Sequence, residues 1–168
     1  MAFQSESSLD RTDWNILRAL QEDARLSYRE LGRRVGLSAP AAAERVRKLE
    51  DRGIITGYAA QVDLAQIGLP LLAFIELRCD PGKCLLKTGR AEEFPEVLEL
   101  HKLSGDHCSL LKVAVASMQH LEPLNERLGN HGPLTCNIVT SSAVTRRMID
   151  GEQMEPNAEA PVDGNWRT

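Results

Sequence analysis

Apolar positions recur at every third or fourth residue through the first third of the chain, then give way to continuous strand-like runs. Asp10-Arg11-Thr12-Asp13 opens a helix with Trp14, Leu17 and Leu20 on its apolar face. Ser27 followed by Glu30 is a capping box, in which the hydroxyl accepts the Glu30 N–H and the carboxylate accepts that of Ser27. Tyr28, Leu31 and Val35 supply the next stripe, and Gly36 permits the left-handed residue that ends that helix. Ser38 caps a further helix, Pro40 sits in its first turn where a missing N–H costs little, and Gly53 ends it. Two short capped helices joined by Gly36-Leu37-Ser38 spell a helix-turn-helix, and the upstream helix completes a trihelical core. Ile54 to Asp63 is β-branched and aromatic with Gly57 inside, which predicts a wing-like hairpin or strand.

The second half has a different period. Leu69 to Arg78 is a β-type apolar run, and Asp80-Pro81 caps a helix through about Glu93, with Leu85, Leu86 and Phe94 as core contacts. Residues 97–103 and 110–116 read as strands around the turn Ser104-Gly105-Asp106-His107. Met118 to Leu128 forms a helix in which Pro123 lies in the first turn or kinks it, and residues 135–140 give a last strand. The order βαββαβ is ferredoxin-like, an antiparallel sheet with helices on one face, so the fold class is α+β. The uncovered sheet face calls for a partner, and a sheet-to-sheet homodimer is the expected one. The implied organisation is a (winged) helix-turn-helix domain over 1–63, a hinge over 64–68 and the ferredoxin-like domain over 69–149. An acidic Pro- and Gly-rich tail over 150–168 follows, too poor in apolar residues to fold alone and expected to be disordered.

The helical wheel of the second capped helix separates packing from contact. Ala42, Val46 and Leu49 share the face that packs on Leu31 and Val35, while Pro40, Ala43, Glu44, Arg47, Lys48 and Asp51 lie opposite. Arg47 and Lys48 are the candidates for base or phosphate contact, with Ser38, Pro40, Ala43 and Glu44 beside them on the same surface. Arg33 and Arg34 are placed to clamp the backbone, and Arg45, at the edge of the stripe, forms a structural ion pair or touches one phosphate. A merely solvated charged face is the alternative. Charge distribution bears on the choice: the chain carries −4 overall. Yet Arg29, Arg33, Arg34, Arg45, Arg47, Lys48 and Arg52 outnumber the acids between Tyr28 and Thr56. A basic reader on an acidic body suits salt-dependent, site-selective binding of double-stranded DNA, and a dimer would read a near-palindromic site.

No apolar run approaches membrane-spanning length, and Met1 to Ser8 lack a signal pattern, so a cytoplasmic protein with no membrane partner is expected. Cys79, Cys84, Cys108 and Cys136 show no paired Cys-x-x-Cys spacing, and His101, His107, His120 and His131 are scattered. Buried apolar cysteines without metal, cofactor or disulfide are the expectation, with His107-Cys108 the one adjacent pair suited to a soft metal or to oxidation. No nucleophile–base constellation or phosphate-binding glycine loop appears, so no catalytic residues are assigned.

The run Leu9-Asp10-Arg11-Thr12-Asp13-Trp14-Asn15-Ile16-Leu17, with Gly36-Leu37-Ser38, Arg45-Val46-Arg47-Lys48-Leu49-Glu50 and Gly53-Ile54-Ile55-Thr56-Gly57-Tyr58, resembles the amino-terminal domain of the Lrp/AsnC transcription regulators. These are the leucine-responsive, or feast/famine, proteins. The likeness runs from about Leu9 to Asp63. It implies a sequence-specific DNA-binding regulator whose carboxy-terminal domain binds a small effector, usually an amino acid. It also implies dimers that stack into tetramers or octamers. A ligand acting at the Leu64–Gly68 hinge would shift how dimers assemble and thus the spacing of the DNA-reading helices. In the family, ligands bind near the loop between the second and third strands, at contacts between dimers, with help from the last strand. That loop usually ends in aspartate; here Ser104 leads into Gly105-Asp106-His107-Cys108, so glycine is kept and Cys108 replaces the aspartate. Asp106 or His107 could substitute for it, or the ligand differs from a free amino acid. Gly132, Thr135 and Asn137 match the last-strand region, although Pro133 and Leu134 are more apolar than usual there. Decarboxylases of haem biosynthesis resemble the same two-domain layout, but they need basic side chains that this acidic sheet domain does not cluster around a histidine. An effector-independent regulator is the other alternative.

Overall fold

Three helices precede the first strand, and each begins where the capping residues put it. The computed structural model describes residues 9–85 and 90–151, so Leu86, residues 86–89 of the expected helix, and Trp166 with the rest of the tail from 152 lie outside the described residues. Helix α1 (Arg11–Glu22) starts from a capping box between Asp10 and Asp13, α2 (Tyr28–Val35) from one between Ser27 and Glu30, and α3 (Ala39–Asp51) from Ser38. Gly36 ends α2 at φ 73°, a left-handed conformation that glycine adopts without strain. Ile16, Ala19, Leu31, Ala42, Val46 and Leu49 form the core, flanked by half-buried Leu17, Leu20, Leu26 and Val35. Each fully buried Ile, Leu or Val contributes about 1.5–3 kcal/mol.

Ile16, not Trp14, is therefore the centre of the α1 face, and Tyr28 is 49% exposed rather than part of the stripe. Tyr28 occupies the first position of an eight-residue helix and projects past the packed residues. The expected wing is not formed: no strand runs from 54 to 63, because nothing pairs with that segment. Ile54 and Ile55 instead lean on the helical core, and the Tyr58 hydroxyl bonds to Glu50 Oε1 at 2.8 Å.

The chain divides into two compact units, residues 9–60 together with 144–151, and residues 61–143. From Val144 the chain packs with the helical unit. There the Gln21 amide exchanges two hydrogen bonds with the Ile149 backbone, both at 2.9 Å, and Arg18 pairs with Asp150 at 2.6 Å. Gly151 lies against the Trp14 ring so closely that a Cβ there would sit 2.9 Å from it.

In the second unit, strands β1 (Leu71–Leu77), β2 (Val97–Lys102), β3 (Ser109–Val115) and β4 (Leu134–Ile138) form one antiparallel sheet in the order β2-β3-β1-β4. Alternation along β1 turns Ala73, Ile75 and Leu77 into the core with Leu85, Phe94, Leu111, Val113, Val115 and Leu121, Leu124 and Leu128 of helix α4 (Met118–Gly129). The opposite face carries Phe74, Glu76, Leu110, Lys112, Thr135 and Asn137 by register. This is the ferredoxin-like order the sequence predicts. Two details differ. Helical geometry begins only at Leu85, after a turn over 80–84, and a short 3-10 segment spans Arg90–Glu93. Pro123 lies in the second turn of α4 rather than the first, where its ring removes one backbone donor.

Candidate nucleic-acid interface and effector loop

The bend between α2 and α3 is set by a glycine that the sequence reading passed over. A Cβ on Gly32 would lie 2.5 Å from the Leu37 carbonyl oxygen, and the Leu37 N–H bonds back to the Gly32 carbonyl at 2.8 Å. A glycine kept inside a helix, where it costs about 1 kcal/mol against alanine, was the available signal. Ser38 Oγ accepts the Ala41 N–H at 3.3 Å, and with Pro40 in its first turn α3 leaves the turn fully capped.

The predicted α3 faces separate as the wheel requires. Ala42, Val46 and Leu49 are buried, whereas Arg47 and Lys48 are 63% and 66% exposed. Arg47 is held across Glu44, with Nη2 at 2.9 and 2.8 Å from its two oxygens, and stands 3.6 Å from Asp51. Lys48 reaches Glu44 at 3.7 Å. The Arg47 guanidinium keeps the Glu44 carboxyl below its ordinary range. Pro40 is exposed, and Ala43 half-buried, on the same helix. Arg33 and Arg34 are exposed at the end of α2, where Arg34 pairs loosely with Glu22 at 3.5 Å. Arg45 takes the structural option: its Nη1 lies 2.6 Å from Asp10 and 2.8 Å from Asp13. It ties α3 to the capping box of α1.

The loop between β2 and β3 lies at the end of β1, with the start of β4 on the other side. Ser104, Gly105 and Asp106 are exposed. His107 Nδ1 is 3.5 Å from Glu76 Oε2, and Glu76 is the register partner of Thr135, with Asn137 two residues further along β4 opposite Phe74. Glu76, which the sequence reading did not single out, is thus the carboxylate beside the loop that lost its aspartate. Gly132 is structural: it is buried at φ 144°, and a Cβ there would sit 2.2 Å from the Arg78 carbonyl oxygen. Cys108 faces away from the loop rim, its Sγ donating to the Leu77 carbonyl at 3.3 Å and accepting the Cys79 N–H at 3.1 Å.

Cys79 and Cys84 are separated by four residues, a ligand-type spacing that a search for Cys-x-x-Cys alone does not catch. Cys79, Cys84 and Cys108 bring their sulfurs within 4.8 Å of one another, and all three are half-buried rather than buried. Burial, with the hydrogen bond to Cys108, pushes the Cys79 thiol up to about 12. For Cys108, burial is outweighed by its hydrogen bonds with Cys79 and Ser109, which bring the thiol below its ordinary value. Cys136 stands apart on β4, packed on the core.

A capped helix-turn-helix with an exposed basic recognition face, followed by an antiparallel α+β domain, defines a DNA-binding regulator with a ligand-binding domain. Known proteins agree. Residues 9–50 match the AsnC-type helix-turn-helix domain, and residues 72–153 match the Lrp/AsnC ligand binding domain. The chain is 41% identical over 135 residues to an uncharacterized HTH-type transcriptional regulator, YezC, of Bacillus subtilis (strain 168), covering 80% of this chain and 96% of that one. The solved structure of B. subtilis LrpC aligns with TM-score 0.78 at 31% identity, over 83% of this chain and 100% of that one. A transcriptional regulator from Neisseria meningitidis, solved in complex with L-methionine, aligns with TM-score 0.76 at 31% identity, over 84% of this chain and 96% of that one. The chain belongs to the Lrp/AsnC family of transcriptional regulators. It is a regulator rather than an enzyme, and the decarboxylase alternative is set aside. Among the described residues, no helix is long and apolar enough to cross a membrane.

Proposed function

We propose that a homodimer of this chain reads a near-palindromic double-stranded DNA site through α3 in the cytoplasm and adjusts that reading when a free amino acid binds beside the β2–β3 loop. The observation that carries the DNA half is the opposition of buried Ala42, Val46 and Leu49 to exposed Arg47 and Lys48 on one rigidly capped helix. Arg47 is the base-reading residue, and Lys48 beside it contacts a phosphate. Ser38, Pro40, Ala43 and Glu44 border them, and Arg33 and Arg34 take phosphates. Arg45 serves the core instead of the duplex. The half-covered face of Phe74, Leu110 and Lys112 supports sheet-to-sheet pairing of two copies, with tetramers or octamers built from such dimers.

For the effector, the exposed loop residues Gly105 and Asp106 offer backbone N–H groups of the kind that suit a carboxylate, and Glu76 suits an ammonium group in place of the missing aspartate. Thr135 borders the same end of the sheet, and Asn137 lies on the same face opposite Phe74. The methionine complex of the Neisseria regulator supports this choice of ligand class. One observation favours a second reading, an effector-independent regulator or one with another ligand: the Cys108 side chain is committed to Leu77 and Cys79.

A thermal-shift screen against the common amino acids, followed by titration of labelled operator DNA with and without the positive ligand, decides between them. A saturable rise in melting temperature that also changes DNA affinity supports the proposal, since a ligand of the folded state raises its stability. No rise with any amino acid overturns the effector half and leaves the second reading.

A further inference from the structure

We infer that Cys79, Cys84 and Cys108 form a binding site for a single thiophilic metal ion at the end of β1, of the kind that Zn²⁺ or Cu⁺ occupies. Three sulfurs, two flanking the turn over 80–84 and one from the start of β3, lie within 4.8 Å of one another. Thiolates around a metal at about 2.3 Å stand roughly 3.8–4.0 Å apart, so a contraction of less than about 1 Å closes the triad.

The scaffold holds the donors without help from a ligand. Cys79 follows β1, and its N–H bonds to Cys108 Sγ at 3.1 Å; Cys108 precedes β3, and its own N–H is fixed on the Leu77 carbonyl at 3.1 Å. A turn closed by the Lys83 N–H on the Asp80 carbonyl at 3.0 Å, with Gly82 at φ 81°, folds Cys84 back onto the pair. Fully buried Ser109 sets its hydroxyl 3.5 Å from Cys108 Sγ and 3.8 Å from Cys79 Sγ, in the manner of an outer-shell partner.

Soft thiolate donors select Cu⁺ and Zn²⁺ over hard cations, and partial exposure leaves room for the water that a four-coordinate zinc would need. A disulfide would use two of the sulfurs and strand the third, whereas one ion uses all three. Binding displaces the thiol protons to solvent and involves no change of oxidation state. His107 is not among the donors gathered there, and its Nδ1 lies 3.5 Å from Glu76 Oε2. The site is separate from the proposed amino-acid contacts at Gly105, Asp106 and Glu76, and it stands whether or not an amino acid binds. Its occupancy would pin the β2–β3 loop to the turn over 80–84.

The test is a titration of the reduced, chelator-treated full-length protein, free of amino acids, with Cd²⁺ as a spectroscopic probe. Zn²⁺ and, under anaerobic conditions, Cu⁺ then compete for the site. The expected result is a thiolate-to-metal charge-transfer band that saturates at one ion per chain. Cys79→Ser, Cys84→Ser and Cys108→Ser should each weaken binding by at least the ~10–100-fold that loss of an outer-shell partner costs. Cys136→Ser should leave binding unchanged. Alkylation of the wild-type protein, mapped by mass spectrometry, should show metal protecting Cys79, Cys84 and Cys108, which keeps the test decisive if a variant fails to fold. No saturable band, an equal loss in Cys136→Ser, or protection that appears only with oxidation of two thiols overturns the site.

Discussion

Arg47 lies across Glu44 on the exposed face of α3, its Nη2 within 2.9 Å of both carboxylate oxygens, so the residue proposed to read DNA is already engaged within its own helix. Binding a base edge or a phosphate requires that pairing to open, and screening by salt loosens both interactions. Arg47→Ala should weaken operator binding by about tenfold or more and relax preference at one base position, as expected of a base-reading arginine. Thermal stability should be unchanged. Competition binding across single-base operator variants checks this; a uniform loss at every position would reassign Arg47 to the backbone.

Lys48→Ala should behave differently. A phosphate contact carries no sequence information, so affinity should fall evenly across sequences and the slope of log affinity against log salt should drop by about one. A salt titration of binding with the two variants side by side separates the roles.

Arg45→Ala should act on stability instead. Its guanidinium, 35% exposed, ties α3 to Asp10 and Asp13. Solvent discounts such a pair, so the expected cost is about 1 kcal/mol, read as a lower unfolding midpoint in urea. DNA affinity of the folded fraction should stay within about twofold, because a residue spent on the core contributes little to the duplex.

Gly32→Ala should be the most damaging single methyl in the helical unit. The added Cβ meets a backbone oxygen at 2.5 Å, which cannot swing aside as a side chain can. A cost of about 1–3 kcal/mol is expected, with DNA binding reduced through a displaced α3. Urea unfolding and operator binding both report it; wild-type values in both would mean that the turn yields freely.

Glu96 gives the acid-side prediction. Burial opposes its ionisation, but a backbone hydrogen bond and the Arg127 guanidinium prevail and hold the carboxyl below its ordinary 4.5. A folded-state value below the unfolded one means that the stability it contributes is present above pH 4.5 and is lost as pH falls through the folded value. Glu96→Gln should therefore cost about 1–2 kcal/mol at neutral pH, less than a fully buried pair because Arg127 is 44% exposed. The difference from wild type should shrink as pH drops below 4.5. Unfolding midpoints measured across that range check the sign.

Much of this fold was legible because its signals are local. Ser27 and Glu30, Gly36, and Ser38 with Pro40 each act within one helical turn, so order along the chain is enough to place α2 and α3. The strands could be read because β1 and β3 are buried runs whose pairing order the βαββαβ pattern implies. What escaped depends on distant partners. Tyr58 looked like strand but found only Glu50 to bond, and Trp14 yielded the core to Ile16. The thiol cluster arises from sheet register, since Leu77 faces Ser109 and so brings Cys79 to Cys108 across 29 residues. Glu76 became a candidate only once its register with Thr135 and its approach to His107 were known.

The return of residues 144–151 to α1 gives the sheet unit two attachments to the helical unit instead of one. A domain suspended at both ends is a closed loop in the topological sense. When it melts alone it recovers less chain entropy than a domain dangling from a single linker, because its ends stay pinned. Undoing the Arg18–Asp150 and Gln21–Ile149 contacts would free the second end, and the sheet unit would then melt with the entropy of a singly tethered domain.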